Sequence, residues 1–320
     1  MAWETDFAED HIELLDKAKT FIEANGGTTL RYDTGTSGEE ELIVQLPGSG
    51  TDEIIFGMKC FTDTANDNFA WELQGYTGYS SSLNFYEQPG AIQSYWPCLP
   101  LHQNTPADSN TIEYWFTINT RRFTVTAKIG STYQQAYMGF ILPYGIPEQW
   151  PYPMLIGGST FFESNISAAN ALKPYRFSVT DWKVAPYWYN KNLNDNQGQA
   201  CLREPGGTYR RFRTQNFSSS IPSEHNGKWT GTWPYLEVDT DNYNGFDAFR
   251  TTLDGSYTLQ PVMFVDGQTV NIYGELDGLK HVSGFSNSPE NIITVGSQDW
   301  LAVPAVFRTG INEFIALELA

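Results

Sequence analysis

The chain has 320 residues and carries 19 Lys and Arg against 37 Asp and Glu, which gives a net charge of −18. This balance argues against a nucleic-acid-binding protein, because such proteins gain affinity when positive side chains release counterions from phosphates. Apolar residues make up 40% and aromatic residues 15%, a composition that can bury a core and that excludes a disordered chain.

An amphipathic helix is predicted near the N-terminus. The pattern Asp6-x-x-Glu9 fits the start of a helix, and Gly26-Gly27 fits its end. Such a helix packs on the body of its own chain or docks on a neighbouring subunit, and both alternatives stay open. Its apolar face recurs at spacings of three and four, at Phe7, His11, Leu14, Leu15, Ala18, Phe21 and Ile22.

From residue 28 onward the apolar pattern has a period of two, which predicts β-strands. Every second residue of 122–129 is apolar from Phe123 onward, and 114–118 alternates in the same way. Because the short polar link 119–121 joins these runs, they predict a β-hairpin. Further strands are predicted at 41–46, 53–61, 69–74, 175–184, 257–265, 269–273, 292–295, 301–307 and 312–319.

Many short strands beside one helix predict a mainly β fold, with antiparallel β-sandwich or barrel-like domains and one N-terminal amphipathic α-helix. The proline-rich segment 142–153 should be extended and lie outside the interior of a sheet, because proline lacks the N–H donor. Its aromatic residues predict an ordered loop that clamps the body or meets a partner. A boundary after Gly157-Gly158 gives an N-terminal helical arm at 1–27, a β domain at 28–158 and a second β subdomain at 159–320.

The sequence lacks the usual enzyme signatures, such as a nucleophile elbow, a phosphate-binding loop or a zinc-protease motif. Its four histidines are dispersed and have no second ligand at metal-like spacing. The Asp/Asn-rich segment 239–245 has Tyr243 and Asn244 where a calcium loop needs an oxygen ligand and a glycine. We therefore predict no catalytic residue, no metal site and no cofactor.

Cysteine usage and the N-terminus indicate the compartment in which the chain is made. Cys60, Cys98 and Cys201 form no C-x-x-C pair, so we expect reduced thiols that act as small hydrophobic residues. The first ten residues lack the positive and apolar regions of a secretory signal, and no apolar run approaches the length of a membrane span. We therefore expect synthesis in a cytoplasm.

Positive charge is concentrated in 203–213, where four arginines stand beside one acid, Glu204. Contact with an acidic run such as 39–41 or 52–53, in this subunit or the next, is one interpretation. A solvated strand face is another, and a nucleic-acid contact is the weakest of the three. The candidate interface residues combine these arginines with the aromatic residues of two other segments: Arg203, Arg210, Arg211, Arg213, Tyr144, Trp150, Tyr152, Tyr187, Trp188 and Tyr189.

Several short motifs stand out in two parts of the chain. The longest is Tyr-Trp-Phe-Thr-Ile-Asn-Thr-Arg-Arg-Phe at 114–123. Others are Leu-Pro-Gly-Ser-Gly at 46–50, Glu-Ile-Ile-Phe-Gly at 53–57, Trp-Glu-Leu-Gln-Gly at 71–75, Tyr-Met-Gly-Phe at 137–140, Ile-Gly-Gly at 156–158 and Trp-Leu-Ala-Val-Pro-Ala-Val-Phe-Arg-Thr at 300–309. With these motifs, most of 46–158 and 300–319 resembles a group of virion structural proteins of tailed bacteriophages, and 160–299 is largely unassigned.

This resemblance implies a structural subunit of the virion, most simply in the tail or baseplate, without catalytic residues. Its partners would be other virion proteins and copies of itself in a symmetric assembly, and its final location the virion. Tyr, Trp, Phe and Arg suit the centres of such interfaces. Two alternatives stay open: a host-adsorption or glycan-binding module with exposed rings, and a glycan-cleaving tail enzyme with two carboxylates in a cleft.

Overall fold

The structure is a computed structural model that describes residues 1–35, 38–64, 68–93, 95–103, 111–145, 149–163, 186–188, 200–212, 230–235, 256–266, 271–306, 309–311 and 313–319. These residues form one α-helix and twenty β-strands. The N-terminal part contains β1 (Ala2–Ala8), α1 (His11–Ala24), β2 (Thr28–Asp33), β3 (Glu41–Ser49), β4 (Asp52–Asp63), β5 (Asn68–Tyr76), β6 (Tyr95–Gln103), β7 (Ile112–Ile118), β8 (Arg122–Ile129) and β9 (Thr132–Phe140).

The remaining strands are shorter on average and follow the proline-rich segment or lie within it. They are β10 (Leu142–Pro143), β11 (Met154–Gly157), β12 (Thr160–Glu163), β13 (Ala200–Arg203), β14 (Tyr209–Phe212), β15 (Thr230–Trp233), β16 (Gln260–Asp266), β17 (Asn271–Val282), β18 (Ile292–Val295), β19 (Gln298–Pro304) and β20 (Phe314–Glu318).

Across the described residues, the strands form three antiparallel sheets, which confirms the prediction of a mainly β, sandwich-like fold with one helix. The central sheet has the strand order β1-β7-β8-β9-β11-β13-β14. The N-terminal sheet has the order β12-β6-β5-β4-β3-β2. The C-terminal sheet has the order β15-β16-β17-β20-β19-β18, with β10 paired to β17.

The central sheet lies between the other two because both of its faces are apolar. In β7, Tyr114 and Phe116 pack with α1 and the N-terminal sheet in one core. Trp115, which alternates with them, packs with residues of the C-terminal sheet in a second core. Burying a large apolar side chain contributes about 1.5–3 kcal/mol, so burial on both faces of the central sheet stabilises its contact with each outer sheet.

The predicted aromatic hairpin is confirmed as β7 and β8. The two strands pair from Glu113 opposite Lys128 to Ile118 opposite Phe123. In the link, the Asn119 side-chain oxygen accepts the backbone N–H of Arg121 at 2.7 Å, a local contact that fixes the turn. Of the other predicted strands, 175–184 lies outside the described residues, and the remaining ones overlap observed strands.

The turn between β3 and β4 shows why the motif at 46–50 contains two glycines. Gly48 has φ 75° and Gly50 has φ 64°, a conformation that side chains disfavour. A Cβ at Gly48 would also lie 1.8 Å from the Asp52 carbonyl oxygen. The Gly48 N–H donates to the Thr120 carbonyl oxygen at 2.7 Å, so this turn joins the N-terminal sheet to the aromatic hairpin.

The N-terminal helix begins later than the sequence pattern predicted. The Asp10 side chain accepts the backbone N–H of Ile12 and Glu13, so the helix cap is Asp10 and not Asp6. Residues 2–8 form β1, and Phe7 is 55% exposed instead of lying on the buried helix face. The other predicted apolar positions are buried against the chain's own strands, which answers the question of what α1 packs on.

Hydrogen-bonded ladders join strands on both sides of the predicted boundary at residue 158. β11 pairs with β13 in the central sheet, and β12 pairs with β6 in the N-terminal sheet. The division into separate domains stays a prediction. All three cysteines are buried, and none of them forms a disulfide bond. In the part of the chain that the structure describes, no helix is long and apolar enough to cross a membrane.

Candidate interaction surface

The structure brings together five of the candidate interface residues from two distant segments. We call this group the arginine–aromatic surface. It lies where the proline-rich loop meets β13 and β14. Its members are Tyr144, Trp150 and Tyr152 from the loop, Arg203 from β13 and Arg210 from β14.

Two backbone contacts hold the proline-rich loop against β13. The Trp150 indole Nε1–H donates to the Arg203 carbonyl oxygen at 2.8 Å. In the opposite direction, the Arg203 guanidinium donates from Nη1 to the Pro151 carbonyl oxygen at 3.0 Å. Because these contacts are reciprocal, the part of the loop at Trp150 and Pro151 clamps the body, which agrees with one of the two interpretations of the sequence.

Tyr152 connects the same loop to the N-terminal sheet. The Arg203 guanidinium carbon lies 5.5 Å from the centroid of the Tyr152 ring, within the range of a cation–π contact. The Tyr152 N–H donates to the Asp52 carboxylate at 3.1 Å. Tyr152 has φ 54°, a left-handed conformation that costs a non-glycine residue about 1 kcal/mol or more, so these contacts stabilise a strained turn.

Arg210 belongs to a closed cluster with Glu204 and Tyr273. Its Nη1 lies 3.1 Å from Glu204 Oε1 and 2.8 Å from the Tyr273 hydroxyl. The Tyr273 hydroxyl in turn donates to Glu204 Oε1 at 2.9 Å. Burial, followed by this hydrogen bond to the carboxylate, raises the pKa of Tyr273 to about 12, so the hydroxyl keeps its proton near neutral pH.

Tyr273 also links the arginine cluster to the proline-rich loop. Its ring centroid is 5.6 Å from that of Trp150, and its carbonyl oxygen accepts the Tyr144 N–H at 3.0 Å. The Tyr144 ring itself is 54% exposed, and its hydroxyl lies 3.4 Å from the Glu275 carboxylate. The surface therefore presents one exposed ring above a set of fixed aromatic and guanidinium groups.

Two further candidate residues, Tyr187 and Trp188, do not join this surface. Tyr187 and Trp188 are buried in the core between the central and C-terminal sheets, where the Trp188 Nε1–H donates to the Gln135 side chain at 2.6 Å. These two rings thus support packing inside the chain and are not available to a partner. Arg211 lies in β14 opposite Cys201. Arg213 and Tyr189 lie outside the described residues, as does the segment 239–245.

The acidic runs considered as partners of the arginines have other contacts within this chain. Glu41 lies 2.9 Å from Lys59 and 3.6 Å from Arg31, in a row across the N-terminal sheet. Asp52 contacts the surface through the Tyr152 backbone N–H. The acid that pairs with Arg210 is the neighbouring Glu204, which the sequence reading treated as an exception inside the basic segment.

The structure reveals a buried carboxyl group that sequence reasoning missed. Glu72 in β5 is 3% exposed and accepts hydrogen bonds from the Tyr86 hydroxyl at 2.9 Å and from Trp96 Nε1 at 2.6 Å. Burial raises the pKa of Glu72 to about 7, although both hydrogen bonds oppose the shift. The signal in the sequence was an acid between Trp71 and Leu73, in a strand that has no other charged residue.

No model of a known protein family matches the chain, and no curated protein matches it. Among the described residues, no group of three or more His, Cys, Asp or Glu side chains is placed to hold a metal ion.

Proposed function

We propose that this chain is a structural subunit of a tailed-phage virion, in the tail or baseplate, and that it acts through protein–protein interfaces. The observation that supports this proposal is the arginine–aromatic surface. Tyr, Trp and Arg are the residue types most enriched among the side chains that contribute most to binding at such interfaces.

The arginine–aromatic surface is held in place before any partner arrives. Arg203 is fixed by the Pro151 carbonyl and the Tyr152 ring, and Arg210 by Glu204 and Tyr273. Immobilising a long side chain on binding costs about 0.5–1.5 kcal/mol, and much of this cost is already met by folding. A partner therefore gains more net affinity from these guanidinium groups than from mobile ones.

The proposed assembly is a phage virion because the sequence motifs resemble those of virion structural proteins of tailed bacteriophages. The motif at 114–123 forms the β7–β8 hairpin, whose two faces contact both outer sheets through alternate residues. Under this proposal the chain is made in the host cytoplasm, joins other virion proteins and copies of itself, and ends in the particle.

The double variant R203A/R210A tests the role of the surface during particle assembly. Since truncating important interface residues costs 2 kcal/mol or more, we expect incorporation into particles to fall by at least about tenfold. The measurement is the fraction of plasmid-encoded chain that sediments with particles. K19A is the matched control, because Lys19 is also a cation paired with an acid, Glu23, but lies on α1. Equal incorporation of both variants would count against a role of the arginine–aromatic surface in particle assembly.

A glycan-binding role is the second candidate, and the exposed Tyr144 ring favours it. Exposed aromatic rings stack on sugars, and the nearby Glu275 carboxylate could accept a sugar hydroxyl. Trp150 contributes little to such a platform because it is only 5% exposed. Saturable binding of the full chain to a glycan array, lost in Y144A and retained in K19A, would favour this candidate over assembly.

A further inference from the structure

The edge strands of the three described sheets differ in how they resist pairing with another chain. The sheets end in β1 and β14, in β15 and β18, and in β12 and β2. Four of these strands, β12, β14, β15 and β18, have only four residues each. β2 contains Arg31, and its register with β3 shifts between Thr29 and Arg31. Short length, a positive side chain and a bulge each hinder the addition of a further strand.

The β1 edge has none of these three features. The strand has seven residues, and it pairs with β7 in an unbroken register from Ala2 opposite Ile118 to Ala8 opposite Ile112. In the described part of the chain, β7 is the only strand that pairs with β1, so the backbone groups on the other side of β1 have no strand partner. This edge can therefore accept a further strand, and its side chains decide which one.

One face of β1 is apolar and exposed. Trp3 is 43% exposed and Phe7 is 55% exposed, and strand alternation places both on the same face as Thr5. Thr5 lies opposite Trp115 of β7, so this is the face that β7 turns toward the C-terminal sheet. A side chain opposite Thr5 on an added strand lies diagonally to both rings, within reach of an aliphatic or aromatic group.

The other face of β1 is acidic and lies beside α1. The Glu4 carboxylate accepts the Tyr114 hydroxyl at 2.8 Å, and the Asp6 carboxylate accepts the Lys17 ammonium at 3.1 Å. Lys17 also lies 3.5 Å from Glu13, so one amine is shared by two carboxylates. The Asp6 side chain is still 57% exposed. This face therefore keeps a net negative charge that an added strand meets.

A second copy of β1 fits only one of the two faces. An antiparallel contact centred on Thr5 places Trp3 opposite Phe7 of the other copy, which suits the apolar face. The same register places Glu4 opposite Asp6 of the other copy, and like charges directly opposite each other destabilise a sheet. The occupant that suits both faces is a strand in which basic and apolar side chains alternate.

We propose that β1 receives an extended segment of another protein, with alternating basic and apolar side chains, as an eighth strand of the central sheet. Its apolar side chains cover Trp3 and Phe7, and its basic side chains lie along Glu4 and Asp6. Backbone hydrogen bonds supply affinity in such strand addition, and the alternating side chains supply specificity. This inference rests on the proposed function, since the other protein is then a neighbouring protein of the virion.

Fluorescence anisotropy with labelled synthetic peptides tests the proposal on the full chain. The first probe is a short peptide in which Lys and Val alternate. The second contains the same residues in two blocks, all Lys before all Val, so it keeps the charge and loses the alternation. The third alternates Glu and Val. The alternating Lys/Val peptide should bind at least about tenfold more tightly than the other two, because it alone matches both faces.

Two variants of the chain separate the β1 edge from the net charge. W3S/F7S removes both exposed rings and keeps the net charge, so it should bind the alternating Lys/Val peptide at least about tenfold more weakly. I292S/V295S is the matched control, because Ile292 and Val295 are also exposed apolar residues of an edge strand, β18. The control should bind the peptide as tightly as the native chain does.

Equal binding of the alternating and block Lys/Val peptides would overturn the proposal, because it would indicate a general attraction of positive charge to an acidic chain. Undiminished binding to W3S/F7S would overturn it as well, as would no binding of the alternating peptide at the highest concentration measured. Self-association in sedimentation velocity that W3S/F7S abolishes would show that a second copy occupies the edge, which also contradicts the proposal.

Circular dichroism checks that W3S/F7S folds. If it does not, hydrogen exchange of the native chain replaces it, and saturating alternating Lys/Val peptide should increase the protection of backbone amides in 2–8. Unchanged protection there would overturn the proposal. Absence of the chain from particles would defeat the proposed function and leave peptide binding intact, whereas loss of peptide binding alone would leave the proposed function standing. The two failures are therefore distinguishable.

Discussion

Glu72 is an acidic side chain whose ionisation opposes folding. In the folded chain its pKa is raised to about 7 by burial, against 4.5 for the ordinary group. Between these two values the folded state holds a proton that the unfolded state releases, so the stability contribution of Glu72 falls as pH rises from 4.5 toward 7 and stays low above it.

The variant E72Q should therefore be more stable than the native chain at pH 8 but not at pH 4, because a Gln side chain accepts the same two hydrogen bonds without a charge. The expected gain at pH 8 is up to about 3 kcal/mol in the free energy of unfolding. Urea denaturation at both pH values measures it. E87Q, at an exposed acid, is the control. An equal response of both variants to pH would show that Glu72 is not destabilised by burial.

At the scale of single residues, the sequence predicted which residue types form the surface better than it predicted which side chains contact each other. It identified Arg203, Arg210 and the aromatic residues of the proline-rich loop, which do converge. It could not distinguish these surface residues from the buried Trp188. The burial of this ring depends on the C-terminal sheet, whose strands come from distant parts of the chain. Nor did it pair Arg210 with Glu204, since their contact depends on the turn between β13 and β14.

Packing between the central and C-terminal sheets depends on Arg122 of β8. Its side chain is fully buried and donates to the Thr117 hydroxyl at 2.6 Å and to the Glu318 carboxylate of β20 at 3.1 Å. Gly278 of β17 leaves room for this guanidinium, since a Cβ there would lie 1.6 Å from Arg122 Nη2. The charged group thus joins two sheets where most contacts are apolar.

The variant G278A should destabilise the fold by about 2 kcal/mol more than G50A, because the added methyl group displaces Arg122 from its charged hydrogen bonds. Both glycines have positive φ, 68° and 64°, so the backbone cost is similar in the two variants. Gly50 has no atom within 4 Å of its added Cβ. Thermal unfolding compares the two, and equal losses would mean that Arg122 moves aside without cost.

A second comparison tests the role of the β7–β8 hairpin in folding. Phe116 is fully buried in the core between the central and N-terminal sheets, whereas Phe7 of β1 is 55% exposed. F116A should lower the free energy of unfolding by about 3–5 kcal/mol, and F7A by less than about 1 kcal/mol. Chemical denaturation measures both. A loss for F7A as large as that for F116A would contradict the assigned burial.

At the scale of elements, the strands with clear alternation were predicted, whereas the start of the helix and several strands, among them β1, β2, β6 and β9, were not. The helix start was misplaced because Asp6-x-x-Glu9 and Asp10-x-x-Glu13 both fit a cap, and only the pairing of β1 with β7 selects the second. β6 was missed because Pro97 and Pro100 interrupt it, yet it lies between β12 and β5. A register shift opposite Pro100 accommodates the missing donor.

The molecule as a whole is a stack of three sheets with acidic composition and one locally basic region. Among the described residues, many of the largest aromatic rings lie in the two main cores. The exposed rings among the described residues are Trp3 and Phe7 of β1, Tyr144 of the proline-rich loop, and Phe285. The stacking of three sheets could not be derived from the sequence, because alternation alone does not say what covers each face.

Quantitative proteomics of fractionated lysate from cells that produce the particles tests the central claim most directly. If the chain is a virion subunit, it should be enriched in the purified particle fraction at a fixed ratio to the other particle proteins. Recovery of the chain in the free protein fraction alone, with none in the particles, would contradict the account.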